Sequence, residues 1–153
     1  PSFGWKAVSF TGSSLLEMLS VLPPIFVLLG LLDVWVKRET MIRFLGEGSG
    51  FLGVALAFLL GSAAAGPLYA AFPVAVVLLK KGAGLKYVFI FLGAWSTTKI
   101  PLLLFEASAL GFNFMLTRLV LDLGGIALIA YVTEKALGQK GKEELYQRAR
   151  SSD

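Results

Sequence analysis

The sequence contains no cysteine and no histidine. Without cysteine there can be no disulfide, thiolate metal site or redox pair. Without histidine the commonest metal ligand and general base are missing. Charge is also scarce, with Asp, Glu, Lys and Arg at 16% of 153 residues against 56% hydrophobic. A water-soluble domain holds less apolar residue and more charge. No paired-carboxylate motif offers itself either, so no enzyme, no catalytic residue, no metal and no cofactor is expected. The net charge of +4 sits in loops and the C-terminal stretch, with no basic patch interleaved with aromatics. That suits a membrane protein with its cations on one side and argues against a nucleic-acid partner. No polar block is large enough for a second core, so one domain is expected.

What the chain does have is apolar length. Four segments, 13–36, 51–79, 87–112 and 113–133, approach or exceed the roughly 20 residues that cross a bilayer. The reading is an all-α integral membrane protein. Residues 1–12, with Phe3, Trp5, Lys6 and Phe10, suit the headgroup interface, and 134–153 form a charged tail expected in the cytoplasm. In the first segment, Ser14 and Glu17 have capping-box spacing. Glu17 can equally be an ionisable group at the mouth of a pathway. Pro23 and Pro24 remove two backbone donors and predict a kink. The connector KRETMIRFLGEGSG (37–50) predicts a short amphipathic helix in the interface, with Met41, Ile42, Phe44 and Leu45 on one side.

The second segment organises the rest. As one straight helix, 51–79 would rise roughly 43 Å at about 1.5 Å per residue, against a hydrocarbon core of about 30 Å. Yet Gly61, Gly66, Pro67 and Pro73 interrupt it. A backbone break at membrane depth is tolerated where it lines a cavity or is covered by protein. In transporters such breaks point unpaired backbone groups at the solute. A kinked helix with small residues for close contact is the plainer alternative.

The third segment carries the most polar stretch inside any span, Trp95-Ser96-Thr97-Thr98-Lys99-Ile100-Pro101. Lys99 lies near its midpoint, where a lone ammonium is expensive, so it binds solute or pairs with Glu17, Glu106 or Asp122. Pro101 leaves the carbonyl near Thr97 without its helical donor, an acceptor for a cation, a hydroxyl or water. In the fourth segment Arg118 and Asp122 share a helix face and are expected to pair. If 51–79 is a re-entrant hairpin, both flanking basic loops and the tail share one side. That charge asymmetry favours the hairpin, with the C-terminus cytoplasmic and three spans remaining. Two such units in one protein would make an inverted repeat.

The runs LGSAAAGPLYAAFPVAVVLLKKG and VFIFLGAWSTTKIPLLLFEASALGF, with RETMIRFLGEGSG before them, resemble the predicted permease family of the ArsP/YraQ type. That family includes organoarsenical efflux permeases, and the resemblance covers about residues 14–133. Its members are often about twice this length with two related halves, so the chain resembles a single half, closest to the second. The resemblance implies a permease that must pair with itself or with a partner, and the assembly expected is a homodimer or larger homo-oligomer in the inner membrane. The family's glycine–proline core falls on Gly61, Gly66, Pro67 and Pro73, and its polar motif on Trp95 to Pro101. Soft arsenicals favour thiolates, whereas Ser62, Ala63, Ala64 and Ala65 fill the stretch here. That argues against arsenic as the substrate, and the central Lys99 near the helix breaks favours a small anionic or polar solute. Its expected site is Ser62, Gly66, Pro67, Tyr69, Pro73, Trp95, Ser96, Thr97, Thr98, Lys99 and Pro101, with Glu17, Glu106, Arg118 and Asp122 as charge partners. The alternative is a non-transporting membrane subunit or scaffold.

Overall fold

The computed structural model describes residues 2–35, 37–64 and 67–152; Gly66, one of the expected site residues, lies outside them. Every regular element among the described residues is helical. The chain divides into two units, residues 1–35 and 36–153.

The first unit is one helix, α1 (Ser2–Trp35), with Pro23 and Pro24 inside it. It begins well before Ser14, so the capping-box reading of Ser14 and Glu17 is corrected: both lie within the helix. Ser13 and Thr11 instead turn their hydroxyls back onto the carbonyls of Ser9 and Ala7. Mid-helix Ser and Thr do this when no free amide is within reach. Glu17 is exposed on this helix.

The second unit holds α2 (Arg38–Leu45), α3 (Gly50–Ala63), a 3-10 turn at Leu68–Ala70, α4 (Ala71–Lys80), α5 (Leu85–Thr97), α6 (Ile100–Ala109) and α7 (Phe112–Ser151). The connector is the short helix expected, but only Met41 and Leu45, four apart, are buried, while Ile42 and Phe44 stay exposed. It meets α3 at a bend of 102°.

Helix α5 is the hub, touching α3, α4 and α7. The contact with α3 rests on a stripe of small residues four apart, Gly53, Ala57 and Gly61, all buried. A Cβ on Gly61 would lie 2.5 Å from the Phe91 carbonyl oxygen and 2.7 Å from Ala94 Cβ. One on Gly53 would lie 2.7 Å from the buried Tyr87 ring. Only glycine lets the two backbones come this close. Because Gly53 meets Tyr87 and Gly61 meets Phe91 to Trp95, α3 and α5 run in the same direction.

Helix α4 runs the opposite way, joined to α5 by the short turn at 81–84. The Gly84 amide donates to the Leu45 carbonyl at 2.6 Å, so the far end of the broken segment sits beside its beginning. Between the two pieces, Ala64 and Pro67 are both extended (ψ 147° and 159°). The second break parts α5 from α6 at Thr98 and Lys99, where ψ goes from 23° to 136°.

Helix α7 returns after a turn at Gly111 and meets α6 and then α5, where a Cβ on Gly93 would lie 2.8 Å from Ile126 Cγ2. Its line breaks at Gly138 (φ 63°, ψ −178°), a conformation essentially reserved for glycine. The charged end beyond it is helical and pinned. Tyr146 Oη donates to the Ala83 carbonyl at 2.7 Å, Lys142 pairs with Glu134 at 3.0 Å and with Glu47, and Ala149 is buried.

Two stretches among the described residues are long and apolar enough to cross a membrane, Leu85–Ala109 and Phe112–Ser151. A third is added if the bent pair Glu39–Leu45 and Gly50–Ala63 counts as one, and Leu68–Lys80 is apolar but shorter. Leu104, Phe105, Val120, Leu121, Leu128 and Ile129 all face outward, over half exposed. Apolar area on this scale is costly in water at about 25 cal/mol per Å² and costs nothing against lipid.

Replacing Gly61 by leucine should force α3 off α5 and destabilise the protein by about 1–3 kcal/mol, the usual cost of overpacking. Thermal unfolding in detergent measures it. An unchanged melting temperature would mean that α3 is not held through this stripe.

Candidate functional site

The two helix breaks meet. Ser62, in the last turn of α3, and Thr98, at the end of α5, are joined Oγ to Oγ1 at 2.8 Å. Thr98 is fully buried and also donates to the Ala94 carbonyl at 3.2 Å. Thr98 stands fourteenth in the 25-residue stretch Leu85–Ala109, close to its middle. A rise of about 1.5 Å per residue puts it roughly 20 Å from the start of that stretch.

Next to this junction lies a charged network. The Thr97 carbonyl, which Pro101 deprives of a donor, accepts from Arg118 Nη2 at 3.3 Å. The same guanidinium is hydrogen-bonded through Nη1 to Glu106 Oε1 and lies 3.5 Å from Asp122 Oδ2. One arginine on α7 thus holds the end of α5, a carboxylate of α6 and a carboxylate one turn along its own helix. Glu106 is buried, 6% exposed, and its Oε2 has no hydrogen-bond partner. Such a carboxylate persists in an apolar setting only when a cation faces it. The expected pair of Arg118 with Asp122 is present, while Glu106 is taken by Arg118.

The remaining expected residues scatter. Trp95 is buried and stacks edge-on against Phe91 at 5.5 Å. Thr97 and Ser96 both turn their hydroxyls to the Gly93 carbonyl, at 2.8 and 2.9 Å, and Ser96 faces outward. Lys99 is half-buried at the start of α6, and Pro101 in that helix's first turn is exposed. Pro67 precedes the 3-10 turn and gives its carbonyl to the Ala70 amide at 3.1 Å. Tyr69 is exposed on that turn and Pro73 half-buried on α4. Glu17 belongs to the first unit.

A second cluster, not anticipated from sequence, gathers Glu47, Glu134, Lys142 and Tyr146 where the tail docks. The Glu47 carboxylate bonded to it holds the Lys142 ammonium above the ordinary lysine value, against the opposing effect of burial. The stability this gives is complete below the ordinary lysine pKa and fades only as pH rises through the raised one. The Gly53-x3-Ala57-x3-Gly61 spacing was readable as a close-contact stripe. Nothing in the sequence ties Tyr146 to Ala83.

Helix breaks that meet at a hydroxyl pair, beside a buried ion network and beneath an apolar exterior, make this an all-helical protein suited to lipid. The chain matches the predicted permease family ArsP_1 over residues 5–152, and it belongs to that family. No curated protein and no solved structure matches it. Membership places the chain in a lipid bilayer, with the movement of small solutes as its role, and points to a transporter rather than an enzyme.

Replacing Arg118 by glutamine strands the Glu106 carboxylate and should cost roughly 3–5 kcal/mol of stability. The double change Arg118→Met with Glu106→Met should recover part of that loss, since the buried Glu106 carboxylate is removed and only Asp122, a quarter exposed, is left without its cation. Denaturant unfolding of the two variants gives the comparison. A double variant as unstable as the single one would show that Arg118 acts mainly through the Thr97 carbonyl and Asp122.

Proposed function

We propose that this chain is a half unit of a permease that moves a small polar or anionic solute where its two helix breaks meet, and that it works as a homo-oligomer. The observation that carries this reading is the Ser62–Thr98 bond at 2.8 Å, which joins both breaks near the middle of a membrane-length stretch. A hydroxyl can donate and accept, so this pair can open and offer both functions to a solute without leaving either unsatisfied. The Lys99 ammonium supplies the charge that favours an anion. Pro67 and Pro101, which have no amide to donate, keep the helices from running on through the breaks. Arg118, with Glu106 and Asp122, fixes the α5 end so that the break keeps its shape.

Segment 50–82 is read as a re-entrant hairpin, supported by the Gly84–Leu45 bond that brings its two ends together. Both ends and the tail then face the cytoplasm across the inner membrane, which matches the clustering of basic residues there. Three spans and one hairpin enclose little space, so the pathway lies between copies of the chain. Two copies would supply the halves that longer relatives hold in one protein.

The natural absence of cysteine makes topology directly testable. Cysteines introduced at Gly48 and Gly82 should both react with an impermeant thiol reagent from the cytoplasmic face. Labelling from opposite faces would replace the hairpin with a full crossing.

Proteoliposomes screened with small anions and polar solutes test transport itself. Thr98→Val should lower flux roughly 10- to 100-fold, the loss of one hydrogen bond to a charged partner, while the fold survives. Lys99→Met should abolish anion flux. Membranes that stay tight to every solute would favour a scaffold role, and an active Lys99→Met would remove the ammonium from the site.

A further inference from the structure

We propose that the cleft between the start of α5 and the α7 break binds an anionic phosphate group, either of a membrane lipid headgroup or of free phosphate. This inference stands apart from the transport reading. The cleft is open, about 330 Å³, and lined by Lys86, Tyr131, Glu134, Lys135, Gly138, Gln139 and Lys142. Three ammonium groups converge on it, and they are not equivalent. Lys142 is committed, bonded to Glu47 and, at 3.0 Å, to Glu134 Oε1. Lys86 and Lys135 stand over aromatic rings, 5.1 Å from the Tyr87 centroid and 5.8 Å from that of Tyr131. Among the described residues neither of these two forms an ion pair.

A ring beneath an ammonium steadies it through the π face without neutralising its charge. The cleft thus offers two cations that form no ion pair among the described residues, with the Gln139 amide and the Tyr131 hydroxyl as neutral donors. Its one carboxylate oxygen within bonding reach of a cation, Glu134 Oε1, is already occupied by Lys142. Several donors converging from different sides suit the multiple oxygens of a phosphate better than a flat carboxylate. Depth agrees. The apolar run of α7 ends at Tyr131 to Thr133 and charge begins at Glu134, the order found at the headgroup level. A basic pocket between helices at that level is a fitting receptacle for an anionic lipid.

The test uses the full chain purified in detergent. Native mass spectrometry with phosphatidylglycerol or phosphatidylcholine added should show preferential retention of phosphatidylglycerol. Lys86→Gln and Lys135→Gln should each weaken that retention about fivefold, the worth of one lysine near an anionic surface. Lys86→Arg should keep most of it. Lys140→Gln, outside the cleft, should change nothing. In parallel, inorganic phosphate is titrated against the melting temperature. Stabilisation by phosphate that disappears in the Lys86 and Lys135 variants, without lipid preference, assigns the cleft to a free phosphate. Lipid preference without that stabilisation assigns it to the headgroup. The proposal is overturned if neither response occurs, or if Lys140→Gln weakens binding as much as Lys86→Gln does.

Discussion

A backbone break inside an apolar exterior exposes a carbonyl or an amide that lipid cannot satisfy. The structure of the second unit follows from how that constraint is met at residues 97–99. Pro101 removes the donor for the Thr97 carbonyl, and Arg118 on α7 supplies another at 3.3 Å. An arginine brought to that depth needs counter-charge, which Glu106 on α6 and Asp122 on α7 provide. The break therefore ties three helices to one guanidinium, and α6 and α7 are held in register by the same group that repairs α5. The planar fork of arginine can serve a carbonyl and two carboxylates at once, which a lysine could not do.

The other side of α5 is governed by size. Gly53, Ala57 and Gly61 bring α3 so close to α5 that an added Cβ would collide with the Phe91 carbonyl at Gly61 and with the Tyr87 ring at Gly53. This contact sets the height at which α3 stops. Ser62 then falls level with Thr98, and the two breaks coincide. A polar junction at mid-length is thus a consequence of an apolar one two turns away. Permease family membership gives that junction a context, since solute sites in transporters gather at broken helices.

At the far end the tail returns to close the bundle. Gly138 allows a turn that other residues resist, and Lys142 and Tyr146 fasten the last helix to residues distant in sequence. The loop at 81–84 is held from two sides, by Leu45 through Gly84 and by Tyr146 through Ala83. The basic cleft over Lys86 and Lys135 exists only because this docking places Gln139 and Lys142 opposite them.

Much of this was legible in the sequence because it depends on local chemistry. Apolar length and scarce charge determine a helical membrane protein, since lipid demands that backbone groups be satisfied within each segment. Proline and glycine positions determine where helices stop: 51–79 is broken, Pro101 opens the α5–α6 junction, and Arg118 with Asp122 is a four-residue pair. The start of α1 was misplaced because Ser14 has the spacing of a cap, while the preceding residues continue the helix without needing one. What the tertiary structure alone decided is which distant groups meet. Ser62 with Thr98, Arg118 with Glu106 and the Thr97 carbonyl, and Tyr146 with Ala83 are pairings across 36, 12, 21 and 63 residues. No local period encodes such distances; they follow from how closely one helix can approach another, and here that was set by the missing side chains of two glycines.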